Sequence, residues 1–107
     1  MNMNASSMAD AADGASDLLK SLAHPTRLLI LCRLMEAECS VGELVGFLGI
    51  RDSTASQHLA LLRKDGLVRA RREGQTIRYA IASTQARAVL ETLALHYCVP
   101  APQRAAG

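Results

Sequence analysis

Aromatic side chains are almost missing from this 107-residue chain, which has no tryptophan, one phenylalanine and two tyrosines. A hydrophobic share of 50% must therefore pack through leucine, isoleucine, valine and alanine. The length is near the low end of what builds a useful core alone, and a small aliphatic domain often gains stability by pairing with a copy of itself. No apolar run approaches the roughly 18 to 20 residues of a membrane span. The N-terminus, Met1-Asn-Met-Asn-Ala-Ser-Ser-Met-Ala-Asp10, has neither the basic nor the apolar region of a secretory signal. Both absences lead to the expectation of a cytoplasmic protein, in which three cysteines do not form a static disulfide framework. Also missing are a Cys-x-x-Cys pair, a cofactor-binding glycine loop and an arranged acid–base pair. Neither an enzyme with catalytic residues nor a bound cofactor is expected.

What is present organises into one domain over residues 14–98, between an acidic, small-residue tail at 1–13, expected to be disordered, and a frayed tail at 99–107. Leu18, Leu19 and Leu22 give a short amphipathic helix from about Ala15 to Leu22. Pro25 suits the first position of a second helix, running to about Ala37. Its Leu28, Leu31, Cys32 and Met35 recur at i, i+3, i+4, i+7. Ser40-Val-Gly-Glu43 is a capping-box pattern that opens a third helix over Val41–Leu48, with Leu44, Val45 and Leu48 inward and Gly49 as its stop. A fourth helix runs from about Ser53 to Lys64 and ends before Gly66. Two short strands, Leu67–Arg72 and Thr76–Ile81, flank a turn at Glu73-Gly74-Gln75. A last helix from about Thr84 to Cys98 carries Val89, Leu90, Leu93 and Tyr97 on an apolar face, before Pro100 and Pro102. The fold class is thus mainly α with a small β-hairpin: five helices and a two-stranded wing, a winged helix-turn-helix.

The fourth helix has two unlike ends. Ser53, Thr54, Ser56, Gln57 and His58 are polar groups able to approach another surface closely, whereas Leu59 and Leu62 belong in a core. Polar groups on a helix N-terminus beside a basic hairpin suit insertion into a DNA major groove with phosphate contacts alongside. The charge distribution agrees. Residues 1–49 carry a net −3, residues 50–80 a net +4 and residues 81–107 a net +1. Gln57 is the most informative candidate, because an amide can pair bidentately with adenine. His58 could reach a phosphate or a base edge, or pack against Leu62. Arg51 and Arg63, with Lys64, suit backbone phosphates. Arg71, Arg72, Gln75 and Arg78 are wing candidates for phosphate or minor-groove contact, although strand alternation sets Arg69 and Arg71 on one face and Arg72 on the other. A merely solvated charged hairpin is the plain alternative for each.

Leu19-Lys-Ser-Leu-Ala-His-Pro-Thr-Arg-Leu-Leu-Ile-Leu31, Ser40-Val-Gly-Glu-Leu44, Ser56-Gln-His-Leu59, Leu62-Arg-Lys-Asp-Gly-Leu-Val68 and Arg71-Arg-Glu-Gly-Gln-Thr-Ile-Arg-Tyr79 together resemble the ArsR-type winged-helix repressors, over about residues 15–98. The resemblance implies a homodimer joined through the first and last helices, bound to double-stranded operator DNA and released by an inducer. The family's metal sensors place two thiolates in a Cys-Val-Cys-Asp-Leu run, where this chain has Ser40-Val41-Gly42-Glu43-Leu44. Others bind zinc along the last helix, where only Glu91 and His96 stand here, about 140° apart around the axis. No metal ligand set is expected.

The chain is more similar to the family branch that senses reactive sulfur, with one cysteine in the second helix and one at the end of the last. Cys32 and Cys98 stand in those positions. By that resemblance they form a sensing dithiol, closed by a disulfide or polysulfide bridge when a persulfide or another thiol oxidant arrives. Cys39 departs from the branch's pattern. Read from the residues alone, all three cysteines could be small buried hydrophobes. A repressor that senses a metal or a general oxidant through Cys32 and Cys39 is a further alternative, although seven residues would separate them by roughly 10 Å along a continuous helix.

Overall fold

A computed structural model describes residues 4–97. Asn4 starts the first helix, α1 (Ala5–Leu22), its side chain accepting from the Ser7 amide at 2.8 Å. Much of the segment expected as a disordered tail is therefore helical: α1 begins ten residues before Ala15. The cause is local. Ala5, Ala9, Ala11, Ala12 and Ala15 favour helix without needing burial, and the Asn4 cap satisfies an N-terminal donor. Apolar periodicity finds only the part of a helix that packs, and in α1 only Ser21 and Leu22 are buried. The expected tail at 99–107 lies outside the described residues, as does Cys98.

His24 caps α2 (Pro25–Glu36) through Nδ1, which accepts from the Thr26 amide at 3.2 Å, and Pro25 fills the first turn. The deepest face of α2 is Ile30, Leu31 and Leu34. Leu28, Cys32 and Met35, read from the sequence as the core face, are half-buried at its flank. The centre of the domain lies around α2, which meets α1, α3, α4, α5 and the second strand, so no single stripe describes its buried surface. The capping box of α3 (Val41–Leu48) is complete: the Glu43 amide donates to Ser40 Oγ at 3.1 Å and the Ser40 amide to Glu43 Oε1 at 2.9 Å. Gly49 ends it in the left-handed region, at φ 69°, where a side chain would be strained. Leu44 is fully buried, while Val45 and Leu48 are half-buried.

The fourth helix, α4 (Asp52–Lys64), turns Ala55, Leu59 and Leu62 inward. Strands β1 (Val68–Glu73) and β2 (Thr76–Ile81) form an antiparallel hairpin, with Glu73 opposite Thr76, Arg71 opposite Arg78 and Val68 opposite Ile81. The sequence does not announce a third participant. Cys39 pairs with Tyr79 on the outer edge of β2, through its amide to the Tyr79 carbonyl at 3.1 Å and the reverse bond at 2.8 Å. The strap between α2 and α3 is thereby stitched to the wing. Finally α5 (Thr84–Tyr97), with Ser83 Oγ accepting from the Ala86 amide at 3.0 Å, returns Ala86 and Leu90 to the core. Its last turns run past the body, so Leu95 and Tyr97 are exposed, and Tyr97 does not join the inward face the spacing suggested. The core is aliphatic, gathered around Ile30, Leu31, Leu44, Leu59, Leu62 and Leu90. No helix among the described residues is long and apolar enough to cross a membrane.

Candidate functional site

Burial of Ala55, Leu59 and Leu62 fixes the rotation of α4 and so decides which polar residues face outward. Ser53, Ser56 and Gln57 are exposed and make no side-chain hydrogen bond among the described residues. With Ala60 they occupy i, i+3, i+4 and i+7, one outward stripe of a helix. Arg51, Arg63 and Lys64 are also exposed, at the two ends of α4. Thr54 is half-buried and stands beside the stripe.

His58 is turned toward the protein. Its Nδ1 accepts from Arg27 Nε at 3.2 Å, and its ring centroid lies 4.6 Å from that of His24 at an interplanar angle of 55°. Arg27 also donates to the Ser21 carbonyl at 3.3 Å, and Ser21 Oγ donates to Asp65 Oδ2 at 2.8 Å. This relay joins the end of α1, the start of α2 and the middle and C-terminal end of α4. Only Nε2 of His58 remains for an outward contact. Burial, then the neighbouring His24 and Arg27, hold the His58 pKa below the usual histidine value of 6.5. A histidine depressed in the folded state binds fewer protons there than in the unfolded chain. It therefore adds stability above about pH 6.5 that is lost as the pH falls through the folded value. The midpoint of thermal unfolding is expected to drop between pH 7.5 and 5. His58→Gln should flatten that drop; an unchanged pH profile would dissociate the relay from stability.

The wing arginines divide into two groups. Arg72 donates to the Gly74 carbonyl at 3.1 Å at the hairpin tip, beside exposed Gln75, and forms no ion pair among the described residues. Arg71 is held by Glu38, at 2.7 Å from Nη2 and 3.1 Å from Nε, and by Glu73 at 3.1 Å. Arg78 reaches Glu43 at 3.1 Å and the Glu38 carbonyl at 3.3 Å. The Arg71 hydrogen bonds, with the Arg78 and Arg69 charges, draw the Glu38 carboxyl below its ordinary range. The Ser40 amide, with Arg78, does the same for Glu43. Glu38 and Glu43 come from outside the basic segment, so the net +4 read along residues 50–80 is lowered to +2 once the chain folds.

The cysteines are not equivalent. Cys39 is buried, its thiol donating to the Ala37 carbonyl at 3.5 Å and its backbone paired with Tyr79. Cys32 is half-buried on the flank of α2, lining a hollow of about 320 Å³ with Leu28, Leu93, Ala94 and Tyr97. Cys39 does not line it. Arg33, the nearest basic residue in sequence, is committed elsewhere: its guanidinium lies 3.9 Å from the Phe47 ring centroid and 3.4 Å from Glu36. His96 is exposed and outside the hollow. Cys98 directly follows Tyr97 in the chain. Among the described residues, no group of three or more His, Cys, Asp or Glu side chains could hold a metal ion.

Residues 24–70 match the model of the bacterial regulatory protein arsR family. The chain is 47% identical over 96 residues to the transcriptional activator HlyU of Vibrio cholerae, covering 90% of this chain and 89% of that one. It is also 47% identical over 83 residues to the biofilm growth-associated repressor of Agrobacterium fabrum, covering 78% and 71%. The structure of reduced HlyU from Vibrio cholerae superposes with a TM-score of 0.83 over 86% of this chain and 97% of that one, at 47% identity. A homodimeric winged helix-turn-helix DNA-binding domain from Mycobacterium bovis, Mb0332, superposes with a TM-score of 0.74 at 32% identity, over 89% and 88%. The order of elements, the outward polar stripe of α4, the paired wing and these likenesses lead to one assignment: the chain belongs to the ArsR family of bacterial regulatory proteins, and is a winged helix-turn-helix transcriptional regulator.

Proposed function

We propose that the chain is a homodimeric repressor that binds operator DNA while its thiols are reduced and leaves it when Cys32 and Cys98 are bridged by persulfide or polysulfide. The observation that carries this reading is the hollow that Cys32 shares with the last turn of α5, where Tyr97 precedes Cys98 in the chain. Exposed Leu19 on α1 and Leu95 and Tyr97 on α5 leave apolar surface for a second copy. Mb0332, a homodimer with this fold, supports that state. Ser53, Thr54, Ser56 and Gln57 read the major groove, with Arg51 and Arg63 on the backbone and Arg72 and Gln75 at the wing tip.

The chemistry balances without a cofactor. The Cys32 thiolate attacks the outer sulfur of a persulfide R–S–SH, forming Cys32–S–SH and expelling R–S⁻. The Cys98 thiolate then attacks the Cys32 sulfur, closing a disulfide and releasing HS⁻. Two thiols are oxidised and one sulfane sulfur is reduced to sulfide. A longer polysulfide retains extra sulfur in the bridge and spans a wider gap than the 4.4 to 6.8 Å between Cα atoms of an ordinary disulfide. Movement of α2 on bridging reaches the DNA side through the strap, because Cys39 ties the exit of α2 to β2. Half-sites of a two-fold operator lie about 34 to 36 Å apart, so a small rotation of one recognition helix misplaces it.

The test is a DNA-binding titration of reduced, peroxide-treated and polysulfide-treated protein, using an operator duplex selected from a random library by the reduced protein. Mass spectrometry follows on the same samples. Polysulfide should weaken binding by about 5- to 150-fold, with a bridged Cys32–Cys98 peptide that dithiothreitol resolves. Full binding by the treated protein, or no bridged peptide, would refute the reading.

A further inference from the structure

Arg71 and Arg78 are directly opposite on one face of the hairpin, where two guanidinium groups at adjacent positions should attract any phosphate backbone. Glu38 faces both of them. One carboxylate oxygen lies 2.7 Å from Arg71 Nη2 and 3.9 Å from Arg78 Nε, so a single residue of the strap faces both cations. Glu73 and Glu43 complete the cluster at 3.1 Å each. With Arg69 on the same face, three carboxylates against three guanidinium groups leave this face of the wing with no net positive charge. Arg72 and Gln75, at the tip, are outside the cluster.

From this geometry we infer that Glu38 determines DNA specificity: it occupies Arg71 and Arg78, so that sequence-independent phosphate binding by the wing is suppressed and the base-reading stripe of α4 decides where the protein settles. Non-specific affinity for DNA comes almost wholly from neutralised phosphates, and each adds about 0.9 to the salt slope. Without the Glu38 charge, Arg71 and Arg78 face only Glu73 and Glu43, both on the exposed side of the cluster. Phosphate then competes for them, which strengthens binding to any duplex, whereas the base contacts of α4 are unchanged. Specificity, the ratio of operator to random-sequence affinity, then falls. The inference rests on DNA binding by the chain and not on the thiol chemistry. All measurements use reduced protein, so failure of the sulfur-sensing reading leaves it standing.

The experiment compares wild-type protein with Glu38→Gln on a random-sequence duplex and on a selected operator duplex, over about 50 to 200 mM salt. Glu38→Gln should bind the random duplex about tenfold more tightly at the low-salt end, with a salt slope steeper by about 1 to 2, and gain less on the operator. Glu36→Gln is the charge control: Glu36 pairs with Arg33, away from the wing, and its loss should leave the slope unchanged. Equal gains for the two variants would reduce the effect to net charge and overturn the inference. So would an unchanged or weaker Glu38→Gln protein. If Glu38→Gln fails to fold, Arg71→Gln with Arg78→Gln decides. That protein should bind the random duplex within about twofold of wild type, and a loss of tenfold or more would show both arginines already on DNA.

Discussion

Cys32→Ser protein should bind its operator as wild type does when reduced, and keep that affinity after polysulfide treatment. Wild type should lose about 5- to 150-fold under the same conditions. Serine is close in size, and Cys32 is only half-buried at the edge of the core, so the hydroxyl costs at most about 1 kcal/mol of stability. The recognition stripe is carried by a different helix and is not disturbed. What is removed is the sulfur that receives the first bond. Cys98→Ser should differ in an informative way: it leaves a nucleophile at Cys32, so mass spectrometry should find added sulfur on Cys32 without a bridge, and operator affinity should persist. If Cys32→Ser protein still left its operator, the signal would enter the molecule elsewhere.

The second large effect concerns stability. Leu59→Ala is expected to cost about 2 to 5 kcal/mol, the range for truncating a fully buried leucine. Leu59 is wholly enclosed in the cluster that includes Ile30, Leu31, Leu44 and Leu62. Small domains have total stabilities of only about 5 to 15 kcal/mol, so the thermal midpoint should fall by about 10 °C or more. Urea unfolding at matched protein concentration measures the free-energy loss, since the self-association proposed above would make stability concentration-dependent. Gln57→Ala, two residues away on the outer face of α4, is the counterpart. It should leave stability within about 0.5 kcal/mol and weaken operator binding by about 1 to 3 kcal/mol if the amide reads a base. A stability loss shared by both variants would mean that the two faces of α4 are not separable.

The winged fold was legible because its punctuation is chemical. Ser40 and Glu43 cap one another, Gly49 and Gly66 both take positive φ values, and Leu59 and Leu62 set the rotation of α4. The early start of α1 was not, because alanine-rich helix needs no apolar stripe. The face of α2 was misjudged for a different reason: a helix enclosed on several sides has no single periodic signal. At the site, the outward polar stripe followed from spacing, whereas the inward turn of His58 depends on Arg27, 31 residues away. The wing shows the same limit. Arg71 and Arg78 are DNA-contact candidates in a local count of charge, and that count does not reveal that Glu38, 33 and 40 positions before them, faces both. Short-range patterns fix elements; long-range pairing decides which of their charges remain available.

The pairing of Cys39 with Tyr79 makes that thiol a gauge of the domain's own breathing. Its sulfur is buried and donates to the Ala37 carbonyl, beside the backbone bonds that tether the strap to the wing, so a modifying reagent gains access when that seam parts. The rate at which Cys39 becomes labelled therefore counts openings of the hairpin edge. A change in that rate on modification of Cys32 would register, within the same chain, whether a signal at α2 has travelled as far as the wing.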